Sequence, residues 1–515
     1  MSRRRTRSLS LALVALAVAV MAIALPAGAS SAPPGCANRT NTTYQALLTC
    51  VTLDGVRAHQ LALQNIANEN GGNRAAGTDG YADSVEYVSG LLERAGYDVT
   101  LDDFTFTRSE AVVRQLTPTP ATYEAETVAN SGIGDVSAPI TAVDIVLAPP
   151  RDPVTSGCEA ADFAGFPTGN IALVQRGTCT FAQKVQNAQT AGARGVIVFN
   201  QGNTPEREGL LSNVTLAPFE ASVPVAGVSF ADGAALATAA TARIAVSQAT
   251  DQNVIAELPG SNTNNVVMAG AHLDSVPAGP GINDNGTGSA TILEVAVQLA
   301  KSHTHHNNTV RFAWWGAEEA GLEGSTAYVD ELATQDGELD RIATYLNYDM
   351  VGSPNYVTMV YDADESTFPA IDDGVVVPDG SIAIEDLYES YYTKIGEPYD
   401  DSAFDGRSDY QAFIDNDIAS GGLFTGAEEE KTAEQQAIWG GTVAEQFDPC
   451  YHQACDTFAN NSNHALDINS DLIAFAMLTF AFSTESVNGV GGEPVPGGAS
   501  FTLPPPAGPE HTFEP

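Results

Sequence analysis

Positive charge is scarce in this chain. Its 515 residues hold 22 Lys and Arg, only four of them Lys, against 64 Asp and Glu, for a net charge of −42. So acidic a surface repels phosphate backbones and anionic headgroups, which excludes a nucleic-acid partner and a polybasic membrane patch. Cysteine is sparse too: six residues, none in a CxxC pair, so a thiolate zinc site is not expected. Beyond residue 25 no apolar run approaches the 18 residues of a membrane span. Aromatic residues make up 8%, but hydrophobic residues reach 43%, enough for real cores, and whole-chain disorder is excluded.

The N-terminus reads as a signal peptide over residues 1–29. Arg3, Arg4, Arg5 and Arg7 precede an apolar run over 11–25, and Pro26-Ala27-Gly28-Ala29 forms a small-residue cleavage site. No membrane contact is expected after cleavage, and the mature protein is expected to be secreted and extracellular. Six cysteines suit an oxidising compartment. Sequence proximity favours three local pairs: Cys36 with Cys50, Cys158 with Cys179, and Cys450 with Cys455. Residues 53–96 carry two helical patterns around the turn cluster Gly71-Gly72-Asn73-Arg74. Composition shifts to Thr, Pro and small residues near Thr117, and a small mixed domain follows to about 248. From Asn253 the pattern is strand–helix–strand–helix–strand, an α/β sheet. Beyond Ser486 the chain turns to Gly and Pro and is expected to be a disordered tail.

Three apolar strands each end in metal-ligand types. Residues 266–271 lead into His272-Leu273-Asp274, residues 310–315 into Gly316-Ala317-Glu318-Glu319, and residues 344–347 into Tyr348-Asp349. Asp284 lies in Asn283-Asp284-Asn285-Gly286, just before a helix. Open α/β sheets gather ligands at the carboxyl ends of their strands, so these segments can converge. Singly, each acid reads as a solvated charge; together with His452, inside the Cys450–Cys455 loop, they make a candidate site. His303, His305 and His306 lie in a polar loop and are expected to face solvent.

These stretches, with Gly71-Gly72-Asn73-Arg74-Ala75-Ala76-Gly77, Asp405-Gly406-Arg407-Ser408-Asp409 and Gly421-Gly422-Leu423-Phe424-Thr425-Gly426, resemble the secreted co-catalytic dizinc aminopeptidases, the family of the Streptomyces griseus enzyme. The middle block, with Cys158, Leu173-Val174-Gln175-Arg176-Gly177-Thr178-Cys179 and Ala191-Gly192-Ala193, resembles a protease-associated (PA) domain. The resemblance implies an α/β fold, a mixed sheet flanked by helices, with a small mixed α/β PA domain inserted. The catalytic domain would be discontinuous over 30–120 and 249–487, the PA domain would cover 121–248, and the tail 488–515.

The same resemblance implies two zinc ions. His272, Asp284 and Asp349 would hold one and Asp284, Glu319 and His452 the other, with Asp284 bridging. Asp274 would fix the tautomer of His272. A hydroxide between the ions would be the nucleophile, Glu318 the general base, and Tyr451 the oxyanion donor. Glu318, Asp349 and the backbone carbonyl of Arg407 would surround the ammonium of a peptide with a free N-terminus. Phe424 would line a pocket for a large apolar first side chain. Some family members bind calcium, and Asp467 and Asp471, four residues apart, are the candidates here. A monomer is expected. The alternatives are a carboxypeptidase on the same fold, for which the cations that would grip a C-terminal carboxylate are too few, a cyclase on that fold, and an inactive receptor-like binding protein, which would have lost ligand positions present here. The sequon at Asn285 adjoins Asp284, where a glycan would collide with the site, and is read as unused.

Overall fold

A computed structural model describes residues 35–36, 39–212, 214–301, 306–368 and 376–509. The expected signal peptide lies outside them, as do His303 and His305. Two eight-stranded sheets organise the chain. In the larger one, Asn262–His272 and Asn308–Trp315 pair in parallel, Ile342–Tyr348 joins on the other side, and Ser420–Phe424 follows, also parallel. Antiparallel strands Gln248–Leu258 and Asp98–Thr107 close one edge; Met359–Tyr361 and Asp400–Ser402 close the other.

The central strands are apolar throughout because both faces are covered. Side chains alternate between two cores. Val267, Ala269, Phe312, Trp314 and Leu346 join helices Leu53–Glu69, Asp79–Ala95, Gly286–Ala300 and Asn463–Phe482 on one face, while Met268, Ala313, Trp315 and Tyr345 meet helix Glu323–Ala333 on the other. Helix Asn463–Phe482 is long and apolar enough to cross a membrane (mean hydropathy 1.4), but 78% of that window is buried inside the fold. Thr52, Thr78 and Ser462 cap their helices, each hydroxyl accepting a backbone N–H three residues on.

The second sheet is the inserted unit. Thr107 pairs with Gln248, so the insert leaves and re-enters the larger sheet on neighbouring strands. Its first strand, Val112–Thr117, pairs with Thr241–Val246. The boundary expected near residue 121 therefore lies earlier: the compositional break marks the loops after this strand rather than the strand itself.

Three further expectations are corrected or refined. The tail expected to be disordered from 488 is ordered through residue 509. Val495 is buried, the Phe501 ring lies 5.0 Å from those of Tyr44 and Phe475, and Gly508 N–H donates to Tyr399 Oη at 2.8 Å. Gly and Pro limit regular structure there to one 3₁₀ turn, Gly498–Ser500, but the apolar anchors still find the core. His306 is buried, not exposed, with Nδ1 at 2.6 Å from Asn308 O. Asn285 and Asn41 of the sequons are also buried.

Candidate active site

The carboxyl ends of the parallel strands bring the expected residues together. His272 is the last residue of its strand, and Asp274 lies two residues on. Glu318 and Glu319 follow Trp315 through a turn in which Ala317 has φ 55°, and Asp349 directly follows Tyr348. Asp284 precedes helix Gly286–Ala300, whose N-cap Asn285 accepts the Gly288 N–H at 2.9 Å. His452 (φ 55°) arrives from the loop closed by the Cys450–Cys455 disulfide. The Cys36–Cys50 and Cys158–Cys179 disulfides also form, away from this site.

Asp284 stands between the two imidazoles. Its Oδ1 is 3.1 Å from His272 Nε2, and its Oδ2 is 3.3 Å from His452 Nε2. His272 Nε2 is also 3.3 Å from Asp349 Oδ1 and 4.0 Å from Glu318 Oε2. His452 Nε2 lies 3.0 Å from Glu319 Oε2. Asp274 Oδ1 sits 3.4 Å from His272 Nδ1, long for a full hydrogen bond, while its two oxygens accept the N–H groups of Glu318 and Glu319.

The site holds more buried acid than its own cations can balance. Five carboxylates face two imidazoles, and Asp349 Oδ1 and Glu319 Oε1 are shielded from solvent with no hydrogen bond. Burial, then Asp284, pushes the Glu319 carboxyl up to about 7 against the pull of His452. Burial, then Asp349, Asp409 and Glu319, raises Glu318 well above the carboxylate range despite His272. Burial alone would lower His452, but Asp284 and Glu319 carry it up to about 10. Divalent cations would satisfy the orphaned oxygens and relieve this repulsion, and one imidazole with carboxylate oxygens on each side is a donor set that suits zinc. Ligand atoms of His272, Glu318 and Asp349 lie within 4.8 Å of one another, as do those of Asp284, Glu319 and His452.

A cleft opens on this cluster, walled by Met350, Tyr361, Ala403, Phe424 and Ala427. Tyr451 and Arg407 also line it. The Tyr451 ring stacks on His452 at 3.9 Å, and Arg407 Nη2 contacts Glu428 Oε1 at 2.8 Å and Tyr451 Oη at 3.4 Å. Asp467 and Asp471 lie elsewhere, on helix Asn463–Phe482, and gather no third ligand among the described residues.

Three supporting residues were not singled out in the sequence. Arg74 is fully buried and donates to the carbonyls of Leu273, Pro280 and Gly281, tying together the loops that carry Asp274 and Asp284. Asp456 accepts the N–H groups of Asn283 at 2.8 Å and Asp284 at 3.0 Å. Ser408 Oγ donates to Asp349 Oδ2 at 2.7 Å and accepts from Asn347 Nδ2 at 2.8 Å. Arg74 lies in a glycine-bracketed stretch that signals a turn and contributes to the resemblance, but nothing there gives the arginine a role of its own. Asp456 follows a disulfide cysteine, and nothing in the sequence separates it from the other acids.

Residues 253–477 match the model of Peptidase family M28, and residues 137–236 match the PA domain. An aminopeptidase of Pseudomonas aeruginosa (strain UCBPP-PA14) is 47% identical over 454 residues, 85% of this chain and 83% of that protein. A probable lipoprotein aminopeptidase, LpqL, of Mycobacterium tuberculosis is 42% identical over 451 residues, 86% of this chain and 88% of its own. Among solved structures, BSAP, a zinc aminopeptidase from Bacillus subtilis, superposes with a TM-score of 0.60 at 25% identity, covering 83% of this chain and 94% of that one. The chain thus belongs to Peptidase family M28 and carries a PA domain within it.

Proposed function

We propose that this chain is a secreted zinc aminopeptidase that releases large apolar residues from the N-terminus of peptides. The observation that carries the reading is Asp284, whose two oxygens each face a different imidazole across a buried, acid-rich site. His272, Asp284 and Asp349 would hold one zinc ion, and Asp284, Glu319 and His452 the second. Bound there, the metal would supply Lewis acidity and lower the pKa of water toward roughly 7.

The chain's own groups do the rest. Asp274 orients the His272 ring and, through two backbone N–H groups, the Glu318-Glu319 turn. Glu318 ligates neither ion in this assignment, so its carboxylate takes the proton of the attacking water and delivers it to the leaving amine. The Tyr451 hydroxyl, on the same loop as His452, donates to the developing oxyanion. Asp349, Glu318 and the Arg407 carbonyl accept from the substrate ammonium; an acetylated amine leaves those acceptors unpaired, at about 1–3 kcal/mol. The apolar wall of Met350, Tyr361 and Phe424 receives the first side chain, where a Leu or Phe gains roughly 1.5–3 kcal/mol.

Export is supported by three disulfides, stable in an oxidising compartment. Cys36, the first cysteine of the chain, is bonded to Cys50, so its thiol is not free for a lipid. We take the protein to work as a monomer, with the PA domain inserted into a discontinuous catalytic domain.

The test is hydrolysis of leucyl, phenylalanyl, glycyl, glutamyl and N-acetyl-leucyl p-nitroanilides, with and without a chelator. Leucyl and phenylalanyl substrates should lead, the acetylated one should fall at least tenfold, and the chelator should abolish all activity until zinc is restored. Comparable cleavage of the acetylated substrate would refute the aminopeptidase reading; a glutamyl preference would overturn the pocket alone.

A further inference from the structure

A second acid cluster lies at the far edge of the catalytic sheet. Strands Met359–Tyr361 and Asp400–Ser402 pair in parallel there, with Val360 opposite Asp401, and Asp362 N–H donates to Ser402 O at 2.9 Å. Helix Ser381–Ile395 lays Glu385 and Glu389, one turn apart on one face, against the strands. Carboxylate oxygens of Glu385, Glu389 and Asp401 lie within 4.8 Å of one another, as do those of Asp362, Asp364 and Glu385. Glu385 is 4% exposed, Glu389 8% and Asp401 2%.

The protein satisfies these groups only in part. Asp362 accepts the N–H groups of Ser366, Thr367 and Phe368, and Glu385 Oε2 accepts those of Ala363 and Asp364. Asp401 Oδ2 accepts the hydroxyls of Ser366 and Thr367, but its Oδ1 is buried with no partner. The charges acting most strongly on Glu389 are Asp401, Asp386, Asp364 and Asp362, all of its own sign. Burial and then those neighbours push the Glu389 carboxyl up to about 8, and burial with Asp364, Glu389 and Asp362 pushes Glu385 up to about 9.

A nearly buried, oxygen-only, like-charged cage calls for a hard cation. Calcium takes six to eight oxygens at roughly 2.3–2.6 Å in flexible geometry, so its ligand oxygens stand no more than about 5 Å apart, a limit these oxygens satisfy. Magnesium demands a tighter octahedron, and the donor set lacks the nitrogen or sulfur that zinc favours. We propose that Glu385, Glu389 and Asp401, with Asp362 and Asp364 beside them, bind one divalent cation of calcium's size. The site is distinct from the zinc cluster and from Asp467 and Asp471, and does not depend on the catalytic reading. Tyr361 and Ser402, which line the substrate cleft, are the chain neighbours of Asp362 and Asp401. A bound ion therefore ties helix Ser381–Ile395 to the strands that carry the cleft wall.

The experiment uses the full-length zinc-loaded protein, stripped of other ions, titrated calorimetrically with calcium chloride alone and with magnesium chloride alone. Melting temperature is followed alongside. The wild type should show one saturable calcium site and a rise in Tm, with magnesium binding at least tenfold more weakly. The double variant Glu389→Gln/Asp401→Asn should lose both responses yet melt no lower than the wild type without calcium, since it removes repulsion. Should the double variant not fold, Asp401→Asn alone should weaken calcium at least tenfold. Asp467→Asn/Asp471→Asn should bind as the wild type does. No saturable binding by the wild type, undiminished binding by the cluster variants, loss in the Asp467/Asp471 variant instead, or equal affinity for magnesium would each overturn the assignment.

Discussion

At the scale of single residues, Asp274 shows how one buried group can serve both halves of a site. It faces Nδ1 of His272 and accepts the backbone N–H groups of both Glu318 and Glu319. Removing such an outer partner typically weakens metal binding 10–100-fold. Asp274→Ala should therefore lower zinc affinity by about that factor, read by competition with a chromogenic chelator. Activity at saturating zinc should stay depressed, because the turn carrying Glu318 loses two acceptors. Recovery of full activity at high zinc would reduce Asp274 to a partner of His272 alone.

At the scale of elements, the loop closed by Cys450 and Cys455 carries both Tyr451 and His452, the latter at φ 55°, a region costly for a residue with a Cβ. The staple holds that backbone in place before any ligand binds. Cys450→Ser/Cys455→Ser should leave the far-ultraviolet circular dichroism unchanged, since the loop belongs to no core helix or strand. It should lower kcat/KM at least tenfold, because an imidazole 1 Å out of place costs on the order of a hundredfold. An unchanged kcat/KM would show that the loop is held by its other contacts. The same scale explains what the sequence could reveal. His272, Glu318, Glu319 and Asp349 were legible because each lies at, or a few residues beyond, the end of a run long enough to be a doubly buried strand, and topology does the convergence. Arg74 and Asp456 were not, because their partners are backbone groups about 200 and 170 residues away in the chain, and no local pattern encodes such a bond. The tail misled for the opposite reason: composition reports on regular structure, whereas Phe501 is held by ring packing on Tyr44 and Phe475 and by the Lys394 ammonium over its face.

At the scale of the whole molecule, a net charge of −42 sets acid against acid across the surface. Compaction brings those charges closer, so self-repulsion opposes the folded state. At 1 M salt the Debye length falls to about 3 Å, and most of the repulsion between exposed groups is screened. The melting temperature in sodium chloride should climb from low ionic strength toward 1 M. A flat or falling curve, followed by differential scanning calorimetry with zinc and calcium held constant, would show that bound cations already neutralise the charge.

The central claim is that Asp284, His272, Asp349, Glu319 and His452 hold a pair of zinc ions while Glu318 stands beside them as the base. The most direct test is the zinc content of purified Glu318→Ala protein, measured by elemental analysis with its turnover at hand. The account predicts two zinc ions per chain, as in the wild type, with kcat reduced by about 10²–10⁴. A variant that has lost zinc along with its activity, or a wild type that never holds more than one ion, would contradict it.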